Sequence, residues 1–116
     1  MEKDDMNESI LTSIKKLLGV TEDYTVFDQD IMMHINTVIM VLDQIGVDSK
    51  HGYFITGKEE TWSDFLGDRT DIEAVKSYVY LKVRLLFDPP QSSAVMEAIN
   101  QQISELEFRI NVIVDI

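Results

Sequence analysis

A single apolar stripe constrains the fold of this chain more than any other feature of the sequence. Its five residues follow one another at alternating intervals of four and three: Ile31, Ile35, Val38, Leu42 and Ile45. This spacing places them along one side of an α-helix. Asp28 predicts the N-terminal cap of that helix, and Gly46 predicts its end. Because other apolar surfaces must cover such a stripe, the chain is expected to fold by packing helices together.

Two further helices are predicted before and after this stripe. The first begins near Asn7, whose side chain can cap it, and ends at Gly19; its polar side carries Lys15 and Lys16. The other begins after residue 70 and is apolar on more than one side, which predicts a helix at the centre of the domain. Asp88-Pro89-Pro90 ends it, because proline has no amide hydrogen to donate.

The last predicted helix is capped by Ser92 or Ser93 and keeps apolar residues at intervals of three or four almost to residue 116. The chain has 116 residues, which is enough for one hydrophobic core. We therefore predict an all-α fold: a small four-helix domain over residues 7–116, preceded by a flexible N-terminal tail over residues 1–6.

The helical pattern is interrupted between the second and third predicted helices. The residues of the segment 53–56 favour extended backbone, so an irregular loop or a small β-hairpin is expected there. Thr61 is expected to cap one helical turn, with Asp64 answering from the third position of that turn, and Gly67 to end it.

This insertion also carries the candidate site of the chain, a group of aromatic and aliphatic residues of the types that often anchor interfaces: Tyr53, Phe54, Ile55, Trp62 and Phe65. One interpretation is that they seal one end of the helical core. The other is that part of the loop reaches an adjacent subunit or partner, with Tyr53 to Thr56 pairing as an added strand. We predict a subunit or partner interface at these five residues.

The composition excludes several classes of protein. The chain has no cysteine, which rules out disulfides and thiolate metal sites. Its N-terminus is acidic and it has no apolar run long enough for a membrane span, so a cytoplasmic protein is expected. With 21 acidic and 10 basic residues the formal charge is −11, which repels nucleic acid and anionic lipid.

No catalytic, cofactor-binding or metal-binding constellation is found in the sequence. The two histidines, His34 and His51, lie far apart without the spacing of metal ligands, and no nucleophile has a recognisable base. The acidic pairs Asp28/Asp30 and Asp68/Asp71 stand where helices are expected to start, where carboxylates stabilise the helix dipole. We therefore predict that the protein is not an enzyme and needs no cofactor.

Beyond these patterns, the chain resembles the head-tail connector proteins of tailed bacteriophages and their prophages. The most specific stretch is 79–93, which contains Asp88-Pro89-Pro90. Further matching stretches are 14–19, 27–31, 33–36, 61–67 and 105–109. The resemblance implies a ring of identical subunits that docks on the portal of the capsid and joins it to tail-completion proteins. DNA would pass through the ring without specific binding, and the protein would move from the host cytoplasm to the neck of the virion.

A second interpretation of the acidity is kept beside this one. A small acidic protein can mimic DNA and occupy the basic groove of a nucleic-acid-binding partner. Both interpretations predict a protein that acts by binding other proteins.

Overall fold

The computed structural model describes residues 7–47, 52–67 and 71–115, the last four of these as helix alone. Within these residues the chain forms five α-helices: α1 (Ile10–Leu18), α2 (Asp28–Gln44), α3 (Trp62–Leu66), α4 (Ile72–Phe87) and α5 (Ser93–Asp115). The all-α prediction is confirmed. The predicted tail over residues 1–6 lies outside the described residues.

The predicted count of four helices leaves out α3, which lies inside the predicted insertion. Thr61 Oγ1 accepts a hydrogen bond from the Asp64 amide at 3.1 Å, and the Asp64 carboxylate accepts one from the Thr61 amide at 3.1 Å. This reciprocal capping is the arrangement predicted for the turn, and Gly67 ends the helix. Two satisfied amides explain how a helix of only five residues begins at a fixed position.

Helix α1 starts later than predicted, with Ser9 as its N-cap instead of Asn7. The Ser9 hydroxyl accepts a hydrogen bond from the Thr12 amide at 3.2 Å. Ser9 is extended because it forms an isolated antiparallel bridge with Thr61. On either side of the bridge, the Ile10 amide donates to the Glu60 carbonyl at 3.0 Å and the Trp62 amide donates to the Glu8 carbonyl at 3.3 Å. These bonds hold Ser9 in an extended conformation, and α1 begins at the next residue, Ile10.

The insertion between α2 and α4 contains no hairpin in its described part, residues 52–61. Its backbone is irregular until the bridge at Thr61, and that bridge joins it to Ser9 and not to a second strand of its own. Residues 48–51, where such a hairpin would enter, lie outside the described residues. The alternative of an irregular loop therefore describes residues 52–60.

Helix α4 is the centre of the domain, as predicted. It packs against α1, α2 and α5, and five of its side chains are buried: Val75, Tyr78, Val79, Leu81 and Val83. Helix α5 has α4 as its main neighbour and buries Ile99, Ile103 and Ile110. The Tyr78 hydroxyl donates a hydrogen bond to Glu107 Oε2 at 2.8 Å, and burial together with this carboxylate raises the pKa of Tyr78 above its ordinary value.

Trp62 fastens the insertion to α1 through a buried polar contact. Its side chain is fully buried, and its Nε1 donates a hydrogen bond to Ser13 Oγ at 2.8 Å. Ser13 Oγ in turn donates to the Ile10 carbonyl at 3.0 Å. The serine is thus the acceptor that lets an indole N–H lie inside the core without losing its hydrogen bond.

Replacing Ser13 by alanine is expected to lower the free energy of unfolding by about 1–3 kcal/mol, because the indole N–H of Trp62 loses its buried acceptor. Urea unfolding followed by the fluorescence of Trp62, the single tryptophan of the chain, measures this change. Ser104→Ala, at an exposed site on α5, is the control for the effect of serine on helix propensity. Equal stability of the two variants would contradict the role assigned to Ser13.

Candidate interaction surfaces

The structure divides the five residues of the predicted interface into buried and accessible ones. Ile55, Trp62 and Phe65 are at most 2% exposed and belong to the hydrophobic core. The Tyr53 ring is partly buried and stacks on the Phe65 ring, with 5.3 Å between the ring centroids. Only Phe54 is largely exposed, at 60%. Most of this group therefore seals one end of the core, and Phe54 is the member that a partner can reach.

The loop that carries Phe54 is held on α2 by Asn36. Asn36 Oδ1 accepts a hydrogen bond from the Ile55 amide at 2.7 Å, and Asn36 Nδ2 donates one to the Ile55 carbonyl at 3.0 Å. The two bonds imitate the pairing of a β-strand. Because Asn36 occupies the peptide groups of Ile55, a strand added along that edge of residues 53–56 would have to displace Asn36.

Glu60 fixes the next part of the loop. Its carboxylate accepts hydrogen bonds from the Thr56 amide at 2.9 Å, from Thr56 Oγ1 at 2.7 Å and from the Gly57 amide at 3.2 Å. Burial by itself raises the pKa of Glu60, but these bonds from Thr56 and Gly57, together with one from its own amide, lower the pKa below the ordinary value. The loop therefore has a defined shape that depends on an ionised carboxylate.

An open groove, which was not predicted from the sequence, lies between this loop and α2. Met33 and Met40 stand 60% and 56% exposed on its α2 side. The groove is lined by uncharged side chains: Gln29, Met32, Met33, Asn36, Thr37, Met40, Ile55 and Thr56. Methionine side chains adapt their shape to a partner, which makes such a groove suitable for binding an apolar side chain. We call it the α2 groove.

A second accessible surface is the side of α5 that faces away from α4. Phe108 is 69% exposed there. The exposed residues on the same side of the helix include the uncharged Gln101 and Ser104 and the acidic Glu97 and Glu105, of which Glu105 forms an ion pair with Arg109. The spacing of Phe108 outside the apolar stripe of the last helix was a signal, present in the sequence, that this residue faces solvent. We call this the outer face of α5.

Lys15 is buried, which corrects its predicted place on the polar side of α1. The side chain is 2% exposed, whereas Lys16 is 76% exposed. Lys15 Nζ forms an ion pair with Asp28 Oδ1 at 2.7 Å and donates hydrogen bonds to the carbonyls of Glu22 at 3.0 Å and Tyr24 at 2.9 Å. These three acceptors compensate for the removal of the charge from water.

Asp28 was expected to cap α2, but its carboxylate forms an ion pair with Lys15 instead. Phe27 occupies the cap position without a side-chain hydrogen bond, and Asp28 is the first residue of the helix. One carboxylate thus closes the ion pair and also lies at the positive end of the α2 dipole. The result is that one lysine side chain connects two carbonyls of the linker to the start of α2.

The described residues were also compared with the requirements of a metal site and of a membrane span. No group of three or more His, Cys, Asp and Glu side chains lies close enough among them to hold a metal ion. None of the described helices is long and apolar enough to cross a membrane. His34 is partly buried on α2, and His51 lies outside the described part of the chain.

Comparison with known proteins gives one match. The model of a family described as phage connector protein matches residues 10–116, a range that contains all five helices described above. No curated protein and no solved structure matches the chain significantly.

Replacing Lys15 by methionine is expected to lower the free energy of unfolding by on the order of 3 kcal/mol, because the partly buried Asp28 carboxylate loses its partner. Urea unfolding measures the change. Lys16→Met, at an exposed site with a carboxylate 3.7 Å away, serves as the control and should change stability by less than about 1 kcal/mol. Adding Asp28→Asn to Lys15→Met should recover part of the loss; a double variant less stable than the single one would argue against the pair.

Replacing Glu60 by glutamine is expected to destabilise the protein most at neutral pH. A carboxylate whose pKa is lowered on folding adds stability above its unfolded pKa, and this contribution is lost as the pH falls through the folded pKa. The difference in unfolding free energy between wild type and Glu60→Gln should therefore shrink as the pH falls below about 4.5. Unfolding curves between neutral and acidic pH measure it, and a difference that does not change with pH would oppose this assignment.

Proposed function

The chain belongs to the phage connector protein family, and from this premise we propose that it is a head-tail connector of a phage or prophage. In this role it forms a ring on the portal of the capsid and joins the capsid to the tail. The family is structural and not enzymatic, and it acts through other head and tail proteins. The observation that carries the proposal is the family match over residues 10–116, a range that contains the five helices α1 to α5.

The charge of the chain suits a channel for DNA. A formal charge of −11 gives a surface that repels the phosphate backbone, so DNA would slide through the ring without being held. The protein would be made in the host cytoplasm, bind the portal and the tail-completion proteins during assembly, and end in the neck of the virion.

The same charge limits where copies of the chain can meet. Two subunits that each carry −11 repel one another, and like charges brought together in an interface cost several kcal/mol. A self-association surface on such a chain should therefore be poor in charge. The α2 groove meets this condition because all eight residues that line it are uncharged.

A closed ring needs a second, different face on each subunit, because its interfaces are heterologous. The outer face of α5 offers such a face: Phe108 projects from it at 69% exposure, with the uncharged Gln101 and Ser104 on the same side. Of the carboxylates on this side, Glu105 is paired with Arg109 within the helix, and Glu97 lies further along it. We assign Phe108 to the α2 groove of the next subunit, where its ring would pack between Met33 and Met40. Aromatic rings and methionine sulfur make favourable contacts of this kind.

This assignment predicts that two variants, each defective alone, complement one another when mixed. Met33→Ser with Met40→Ser removes the groove contacts, and Phe108→Ser removes the side chain that fills it. Each variant alone should associate at least about tenfold more weakly than wild type. Mixed in equal amounts, the two variants retain one intact interface between them and should form a 1:1 pair. Light scattering with purified portal present and absent, together with negative-stain images, measures these states.

Val95→Ser is the control, because Val95 is exposed on the first turn of α5 and lies outside the groove. It should assemble on the portal as wild type does. A wild-type chain that stays monomeric and does not bind purified portal would refute the connector function. Capture of a DNA-binding protein that DNA displaces would instead favour the DNA-mimic alternative.

A further inference from the structure

The linker between α1 and α2 exposes an apolar surface that the proposed ring does not use. Tyr24, Val26 and Phe27 are 48%, 69% and 38% exposed, and we call these three residues the linker patch. The Tyr24 and Phe27 rings lie 5.7 Å apart, and Phe27 meets the edge of the Phe87 ring of α4 at 5.3 Å. Phe27 therefore connects the patch to the end of α4, and Tyr24 lies against Phe27.

The backbone that carries the patch has no regular structure, yet it is held in place from within. Lys15 Nζ binds the carbonyls of Glu22 and Tyr24, one on either side of Asp23, and pairs with Asp28 where α2 begins. Burying an ammonium group is costly, and here it fixes a segment whose apolar side chains point to water. A surface that is fixed before binding loses little conformational entropy when a partner arrives.

The exposed charges that neighbour the patch in the sequence have one sign. Residues 20–30 contain four acidic residues and no basic one: Glu22, Asp23, Asp28 and Asp30. Lys15 compensates Asp28, which leaves Glu22, Asp23 and Asp30, all exposed. Asp88, the exposed residue that follows Phe87, is also acidic. In contrast to the uncharged α2 groove, the linker patch is therefore an apolar surface with an acidic border.

We propose that the linker patch is the docking surface for a positively charged segment of a different protein, in which Lys or Arg residues flank one apolar anchor. The anchor packs on Tyr24 and Val26, and the cations lie against Glu22, Asp23 and Asp30. A second copy of this acidic chain is disfavoured at the patch by like-charge repulsion, and so is DNA. This inference rests on the proposed function, because the proteins used to test it are those that a connector is proposed to bind.

The test measures binding of purified portal and of the purified tail-completion protein, each separately, to the full chain by biolayer interferometry at low and high salt. Tyr24→Ser with Val26→Ser should weaken binding of one of the two at least tenfold, with self-association and thermal stability unchanged. Glu22→Gln with Asp23→Asn should slow association and reduce its dependence on salt, because steering by charge is screened by ions. Val95→Ser, another exposed apolar site, should bind as wild type does.

Three outcomes overturn the proposal in distinguishable ways. If wild type binds a partner and the Tyr24/Val26 variant binds it equally well, the patch is not the docking surface, while the connector function stands. If that variant loses self-association instead, the patch faces a second copy. If wild type binds neither protein, portal docking and the role of the patch fail together.

Discussion

The apolar surface of α4 is the constraint on which the rest of the subunit depends. This helix is buried on several sides, and no single neighbour can cover it. Helices α1 and α2 cover two of its sides and α5 covers another, so their positions follow from the need to remove α4 from water. The sides of these neighbours that face away from α4 stay accessible, and the α2 groove and the outer face of α5 lie on two of them.

Polar side chains fix the segments that the hydrophobic core alone would leave undefined. Asn36 holds the loop at Ile55, Ser13 receives Trp62, and Lys15 ties down the linker between α1 and α2. Each of these contacts joins irregular backbone or an insertion to a helix, where water would otherwise compete for the hydrogen bonds. The subunit therefore combines a simple helical core with loops of defined shape, and defined loops are what a protein that acts by surface matching requires.

How far the sequence predicts this structure depends on the range of the interaction involved. Apolar spacing identified the four long helices, and the Thr61/Asp64 box and Gly67 identified the short one, because these signals act within a few residues. The start of α1 was missed because Ser9 is held by Thr61, which is distant in the sequence. Lys15 was misplaced for a similar reason, since its burial depends on Asp28 and on carbonyls of the linker. Aromatic type alone also did not reveal that Trp62 and Phe65 are buried while Phe54 and Phe108 are exposed.

The contacts between α1 and the insertion affect the order in which the chain can fold during its synthesis. Ser13 and Trp62 are separated by 49 positions, and the bridge at Ser9 lies beside them. A nascent chain emerging from the ribosome can form the turns of α1 early, but their first amides and the indole pocket are completed only when the segment around residue 62 has been synthesised. Closing this long loop is an entropic cost that must precede the gain from packing. Helix α1 therefore acquires its final stability late, together with the middle of the chain and not before it.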